Sequence, residues 1–195
     1  MVQRTAALRT FGYVHAANTF YVIDADGTNE ARRIHAPESA AEAALSPDGE
    51  KIAIVSGDFA DTTTGVIDVY VTDADGTDEI PITGTHSKQE DPDLDVVRTV
   101  RGSPVWSSDG KRIAFTSYSL TNGESAGLYV INAGGTGMRR LANSIVPEAF
   151  PAWSPDRKKI AIFCPPAPAA AGADLCMINA DGTKWRRLSL DVDQH

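Results

Sequence analysis

The chain writes one short phrase four times, as VIDADGTNEARRI, VTDADGTDEIPI, VINAGGTGMRRL and MINADGTKWRRL. A second phrase recurs upstream of the last three, as AALSPDGEKIAIVS, PVWSSDGKRIAFTS and PAWSPDRKKIAIFC. Gly27, Gly76, Gly135 and Gly182 stand 49, 59 and 47 residues apart, and Ser46, Ser107 and Ser154 stand 61 and 47 apart. Two separate markers keep step, so internal repetition limits the fold before any other feature does.

Each unit holds four short apolar runs. PVWS, RIAFTS, GLYVIN and RRLA are one set, rich in β-branched and aromatic residues and bounded by turn residues. No long segment carries a helical period. The Ala-rich APESAAEAALS, residues 36 to 46, could make a helical turn, but its alignment with VVRTVRGSPVWS puts its end on a strand. Asp-Gly favours the positive backbone angles of a hairpin turn, and glycine adopts them without a Cβ clash. Asp24, Asp73, Asn132 and Asn179 are placed to bond their side chains to nearby backbone N–H groups. DADGT also looks like the start of a calcium loop. With Asp24 and Asp73 as the first loop positions, however, the twelfth are His35 and Gly84 where a bidentate Glu belongs, and the third copy reads Asn132-Ala133-Gly134. The phrase is therefore read as a strand connector.

A four-stranded sheet of this size has two apolar faces and cannot bury them alone. Stacking such sheets around an axis covers both. The predicted fold is all-β, a β-propeller of four-stranded antiparallel blades. It has about four blades, as a partial ring or half of a larger propeller. One domain spans residues 1–195, with repeats at approximately 2–36, 37–85, 86–144 and 145–190.

A chain of 195 residues buries roughly 70% of its unfolded surface and needs neither disulfides nor metal to hold together. Its net charge of −8 repels phosphate backbones, so no nucleic-acid partner is expected. No run approaches the ~20 apolar residues of a membrane span, and no signal peptide is visible at the start. Cys164 and Cys176 have no second pair or His cluster at metal spacing. Two buried free thiols is the favoured reading, and a cross-strand disulfide in an oxidising compartment is the other.

The pattern PAWSPDRKKIAIF…DLCMINADGTKWRRL resembles the TolB-type, WD-repeat-like β-propeller repeat, from about Phe11 to Leu188. That module occurs in Tol-Pal system proteins and in the propellers of prolyl oligopeptidase and dipeptidyl peptidase relatives. The resemblance implies a propeller, a periplasmic or extracytoplasmic setting and a protein or peptide partner. Several departures stand out. The first unit lacks the WSPDG phrase, Leu45 replaces the Trp of the later units, and Arg157 replaces a turn glycine. The third unit carries the acidic insertion THSKQEDPDLDVVRT. Family propellers have roughly six to eight blades. Three outcomes follow: a piece of a longer protein, a half-ring completed by a homodimer, or a ring closed as four.

No catalytic, cofactor-binding or metal-binding residue is assigned. None of His15, His35, His86 and His195 sits beside a Ser, Cys or carboxylate in a nucleophilic signature, the G-x-S-x-G elbow is absent, and TNGESAG lacks the Lys of a P-loop. Trp106 and Trp153 sit at matched positions, which argues for packing between blades. Trp185 lies in the fourth strand beside Arg186 and Arg187, where the arginines are a repeated edge feature. Residues just before each first strand should line the mouth of the central channel: Ala41 and Glu42, Arg101 to Ser103, and Glu148 to Phe150. They differ from unit to unit as specificity positions do, although loops also vary without function. The expected function is a non-enzymatic propeller acting as a protein- or peptide-binding scaffold through Glu42, Arg101, Ser103, Glu148 and Phe150. The acidic segment Glu90 to Asp95 would be offered to a basic partner. The alternative is the propeller portion of a peptidase or carbohydrate-acting enzyme.

Overall fold

The computed structural model describes residues 9–14, 19–24, 32–35, 40–57, 67–83, 99–119, 126–146, 149–167 and 172–188. Fifteen strands follow one another with no helix among the described residues. Blade 1 is β1 (Arg9–Val14), β2 (Thr19–Asp24) and β3 (Arg32–His35). Blade 2 is β4 (Ala40–Leu45), β5 (Lys51–Gly57), β6 (Ile67–Asp73) and β7 (Ile80–Pro81). Blade 3 is β8 (Thr99–Trp106), β9 (Arg112–Ser119), β10 (Ala126–Asn132) and β11 (Arg139–Ile145). Blade 4 is β12 (Ala152–Trp153), β13 (Lys159–Cys164), β14 (Asp174–Asn179) and β15 (Arg186–Leu188). Pairing within each blade is antiparallel and sequential. A single parallel bridge, Ile67 to Val100, ties blade 2 to blade 3. The Ala-rich stretch ends in strand β4, as its alignment required.

The first turn of the unit explains its own sequence. The Ser46 hydroxyl donates to the Asp48 carboxylate at 2.6 Å and accepts the Lys51 N–H at 2.9 Å. Ser107 with Asp109 and Arg112, and Ser154 with Asp156 and Lys159, repeat the arrangement. These serine hydroxyls hold Asp48, Asp109 and Asp156 below the usual carboxylate range. Gly49 and Gly110 supply the positive φ at the end of the turn (75° and 67°), and Arg157 adopts it as a non-glycine at 60°.

The second turn differs from its sequence reading in one respect. Asp75 and Asp181, not Asp73 and Asn179, accept the backbone N–H groups, those of Thr77 at 3.0 Å and Thr183 at 2.9 Å. Asp73 instead pairs with Lys51 at 2.7 Å. Asn132 and Asn179 donate their amides to Thr136 and Thr183 at 3.1 and 2.9 Å. The acceptor sits two residues before the N–H it takes, which is the reach of an Asx turn. The alanine of the phrase is fixed by backbone. The N–H of Ala74, Ala133 and Ala180 donates to the carbonyls of Glu50, Lys111 and Lys158, locking the two turns of blades 2, 3 and 4 together.

Alternation along the strands sends side chains into two different cores. In β5, Ile52 and Ile54 face one way while Ala53 and Val55 join Val69, Val71, Trp106, Ile113, Phe115 and Tyr129 between blades 2 and 3. In β10, Tyr129 and Ile131 serve that core, whereas Leu128 and Val130 join Ile160, Ile162 and Ile178 between blades 3 and 4. Each fully buried Ile or Leu contributes roughly 1.5–3 kcal/mol, so a blade separated from its neighbours loses most of its stabilisation. On blade 4, Phe163, at the position of the buried Val55, is 45% exposed.

Cys164 and Cys176 are bonded to each other, so the favoured free-thiol reading is corrected. Cys164 opposes Asp174 and Cys176 opposes Ile162, which makes the two cysteines diagonal neighbours on one face. Their Cα atoms lie 5.8 Å apart, within the span a disulfide bridges. Both are buried in the core between blades 3 and 4.

Candidate functional site

The first strands β4, β8 and β12 lie beside one another and are joined by their tryptophans. Trp106 Nε1 donates to the Ala44 carbonyl at 2.9 Å, and Trp153 Nε1 donates to the Val105 carbonyl at 3.2 Å. Ala44 and Val105 are corresponding residues, each one before the Leu45 or Trp106 of its own blade. Each indole is thus a spacer between successive first strands, as expected for repeated packing between blades.

Glu42, Ser103 and Phe150 also correspond, each three residues before Leu45, Trp106 or Trp153. The indole spacing brings them to one open concavity of about 490 Å³, walled in addition by Ala41, Pro104 and Pro151. A bulge shapes its floor. Gly102 opposes Thr116 and Val105 opposes Ala114, so Ser103 and Pro104 together face one residue of β9. Ser103 takes φ 52° there. Its N–H donates to the Glu42 carboxylate of the preceding blade, and Thr116 Oγ1 donates to the Gly102 carbonyl at 3.1 Å. A bulged strand that re-aims its side chains is a frequent feature of binding sites. Phe150 stands 65% exposed at the rim.

Of the sequence-predicted mouth residues, Ala41, Glu42, Ser103 and Phe150 come together. Arg101 lies on β8, with its side chain outside the described residues. Glu148 and the acidic segment Glu90 to Asp95 also lie outside them, as do His15, His86 and His195. Ala149 is buried in the core between blades 3 and 4 and does not face the mouth. Sequence reasoning missed Pro104 and Pro151, two residues before each Trp. The signal was present, because a proline inside a repeated strand lacks the ladder N–H and marks an irregularity. The concavity offers prolines, an aromatic ring and one carboxylate engaged with a backbone N–H. Among the described residues no cluster of His, Cys, Asp or Glu could hold a metal ion.

No protein-family model and no curated protein sequence matches the chain. Solved structures do. TolB from Acinetobacter baumannii is similar at 21% identity and TM-score 0.61, over 89% of this chain and 38% of that one. Oligogalacturonate lyase in complex with manganese is similar at 14% identity and TM-score 0.58, over 87% and 41%. The β-propeller domain of the trilobed protease from Pyrococcus furiosus is similar at 15% identity and TM-score 0.53, over 88% and 49%. The class is therefore the β-propeller, present here in part. The chain spans less than half the length of these three similar chains.

Proposed function

We propose that this propeller segment is a non-enzymatic scaffold that binds a protein or peptide in the first-strand concavity. The observation that carries this reading is the contrast between units. The tryptophan frame repeats, whereas the three corresponding residues it delivers to the concavity are an acid, a hydroxyl and an exposed phenyl ring. An exposed aromatic above prolines suits an apolar anchor of a partner, and the carboxylate beside it adds a polar contact. Similarity to TolB supports a binding role, while similarity to a lyase and a protease keeps the propeller part of an enzyme as the second reading. The buried Cys164–Cys176 disulfide supports an extracytoplasmic setting.

The test is selection of peptides from a displayed random library against the whole chain, followed by titration of the winners. Phe150→Ser should weaken them by about tenfold or more, with unfolding by denaturant unchanged. Winners that bind the variant as tightly as the parent would retire the concavity as the site.

A further inference from the structure

A second depression, of about 410 Å³, lies between blades 3 and 4 at the turn end of the strands. Its walls are Arg112 and Arg139 of blade 3 and Lys158, Lys159, Asn179 and Asp181 of blade 4. Four cations face one carboxylate there, in a chain of net charge −8. The repeat shows why they gather. In blade 2 the position of Lys159 is held by Lys51, whose ammonium pairs with Asp73 at 2.7 Å. The positions of Asp73 are Asn132 in blade 3 and Asn179 in blade 4. The cation has been kept at each copy and its carboxylate replaced by an amide.

Backbone carbonyls and an aromatic ring hold the guanidinium groups, and the Asp156 and Asp181 carboxylates feel the cations through space without forming an ion pair with them among the described residues. Arg112 donates to the Arg157 carbonyl at 3.1 Å and lies 4.6 Å from the centroid of the Trp153 ring. Arg139 donates to the carbonyls of Ala180 at 3.1 Å and Asp181 at 3.4 Å. The Asp181 carboxylate accepts the N–H and hydroxyl of Thr183. Lys158 and Lys159 act on Asp156 through space, yet neither forms an ion pair among the described residues. Both guanidinium planes are therefore fixed before any ligand arrives, and two flexible ammonium groups stand beside them.

We infer that this depression binds the carboxylate side chains of a short acidic segment of a partner protein. A fixed guanidinium fork matches a carboxylate in geometry as well as charge. The field of the patch outweighs the net negative charge only within about one Debye length, ~8 Å at physiological salt. That range suits two or so adjacent Asp or Glu side chains and disfavours an extended polyanion. The site uses none of the residues of the first-strand concavity, so it goes beyond the proposed function and stands or falls separately.

The experiment uses the whole chain and a fluorescein-labelled hexapeptide with one adjacent Glu-Asp pair flanked by Gly and Ser, with its Gln-Asn counterpart as control, read by fluorescence anisotropy. Binding of the acidic peptide should fall steeply between about 50 and 500 mM salt. Lys158→Gln with Lys159→Gln, both exposed positions, should weaken it about tenfold. Lys184→Gln with Arg186→Gln, the same charge removed near the fourth strand, should change it by less than about twofold. Phe150→Ser should leave it unchanged. Equal loss in the two double variants, or equal binding of the uncharged peptide, would overturn the inference. So would displacement of the peptide by an equimolar amount of inorganic phosphate, which would make the pocket a phosphate site.

Discussion

At the junction of blades 2 and 3, Trp106 is 7% exposed and lies among Val69, Val71, Ile113 and the stacked rings of Phe115 and Tyr129, whose centroids are 5.6 Å apart. At the junction of blades 3 and 4, Trp153 packs only at the margin of the core and carries the Arg112 guanidinium over its ring. The first junction is filled by apolar surface and also carries the Ser103–Glu42 bond and the Ile67–Val100 bridge. The second adds bonds across its turn end: Ser108 Oγ donates to the Pro155 carbonyl at 3.1 Å, Arg112 and Arg139 donate to carbonyls of blade 4, and Arg157 lies 3.7 Å from Asp109. One repeat therefore supplies two kinds of joint around an identical indole-to-carbonyl bond. The shared part is what lets blades stack, and the unshared part is where a surface can specialise.

Replacing the two tryptophans tests this contrast most severely. Trp106→Ala should cost about 3–5 kcal/mol in denaturant unfolding, since it opens a cavity in a filled core and leaves the Ala44 carbonyl without its donor. Trp153→Ala should cost about 2 kcal/mol, because less of the ring is buried and the arginine bonds across the turns remain. Equal losses would show that the indole bond alone sets the strength of a junction and that the polar links add nothing.

The disulfide gives the next largest effect, and it lies on one side of the comparison. Cys164→Ala with Cys176→Ala should destabilise blade 4 by about 2–4 kcal/mol. In a stacked repeat such a loss stays near its origin. Hydrogen exchange should accelerate at the amides of β13 and β14 and remain slow in β5 and β6. Acceleration spread evenly over all blades would mean that the two junctions unfold as one unit and cannot be ranked.

Much of this architecture was legible in advance, for a physical reason. Ser46, Ser107 and Ser154 each bond the Asp two residues on, and Trp106 and Trp153 each bond the previous first strand. An interaction needed once per blade leaves a mark once per repeat. What was not legible depended on register. The disulfide requires Cys164 and Cys176 on one face of the hairpin, and a one-residue slip would have separated them. Ala149 was misplaced for the same kind of reason, one residue from Phe150 but pointing into the core. The lining of the concavity was half legible. Repeat alignment brought Glu42, Ser103 and Phe150 together, whereas the bulge that aims them comes from a left-handed serine that no pattern announces. The basic depression escaped notice because its cations come from different blades.

The smallest effect concerns the turns that face each other across the two junctions. At the first, Gly110 holds φ 67°, and a Cβ there would meet Asp48 Oδ2 and Pro47 Cδ at 3.9 Å, an ordinary contact. At the second, Arg157 holds φ 60° with a Cβ present. Left-handed backbone costs a non-glycine residue about 1–2 kcal/mol. Arg157→Gly relieves that strain, but it adds roughly 0.5–1 kcal/mol of chain freedom to the unfolded state and removes an exposed ion pair worth about 0–1 kcal/mol. The Arg157 carbonyl, which accepts Arg112, is retained. The opposing terms nearly cancel, so the net change should lie within about 1 kcal/mol of zero. Gly110→Ala should destabilise by about 1 kcal/mol, since space is available and only the backbone angle opposes it. Measured together by denaturant unfolding, the two variants isolate the Arg157 side chain. A clear loss of stability in Arg157→Gly would show that its guanidinium, reaching Asp109 across the gap, fastens the second junction more firmly than an exposed pair should.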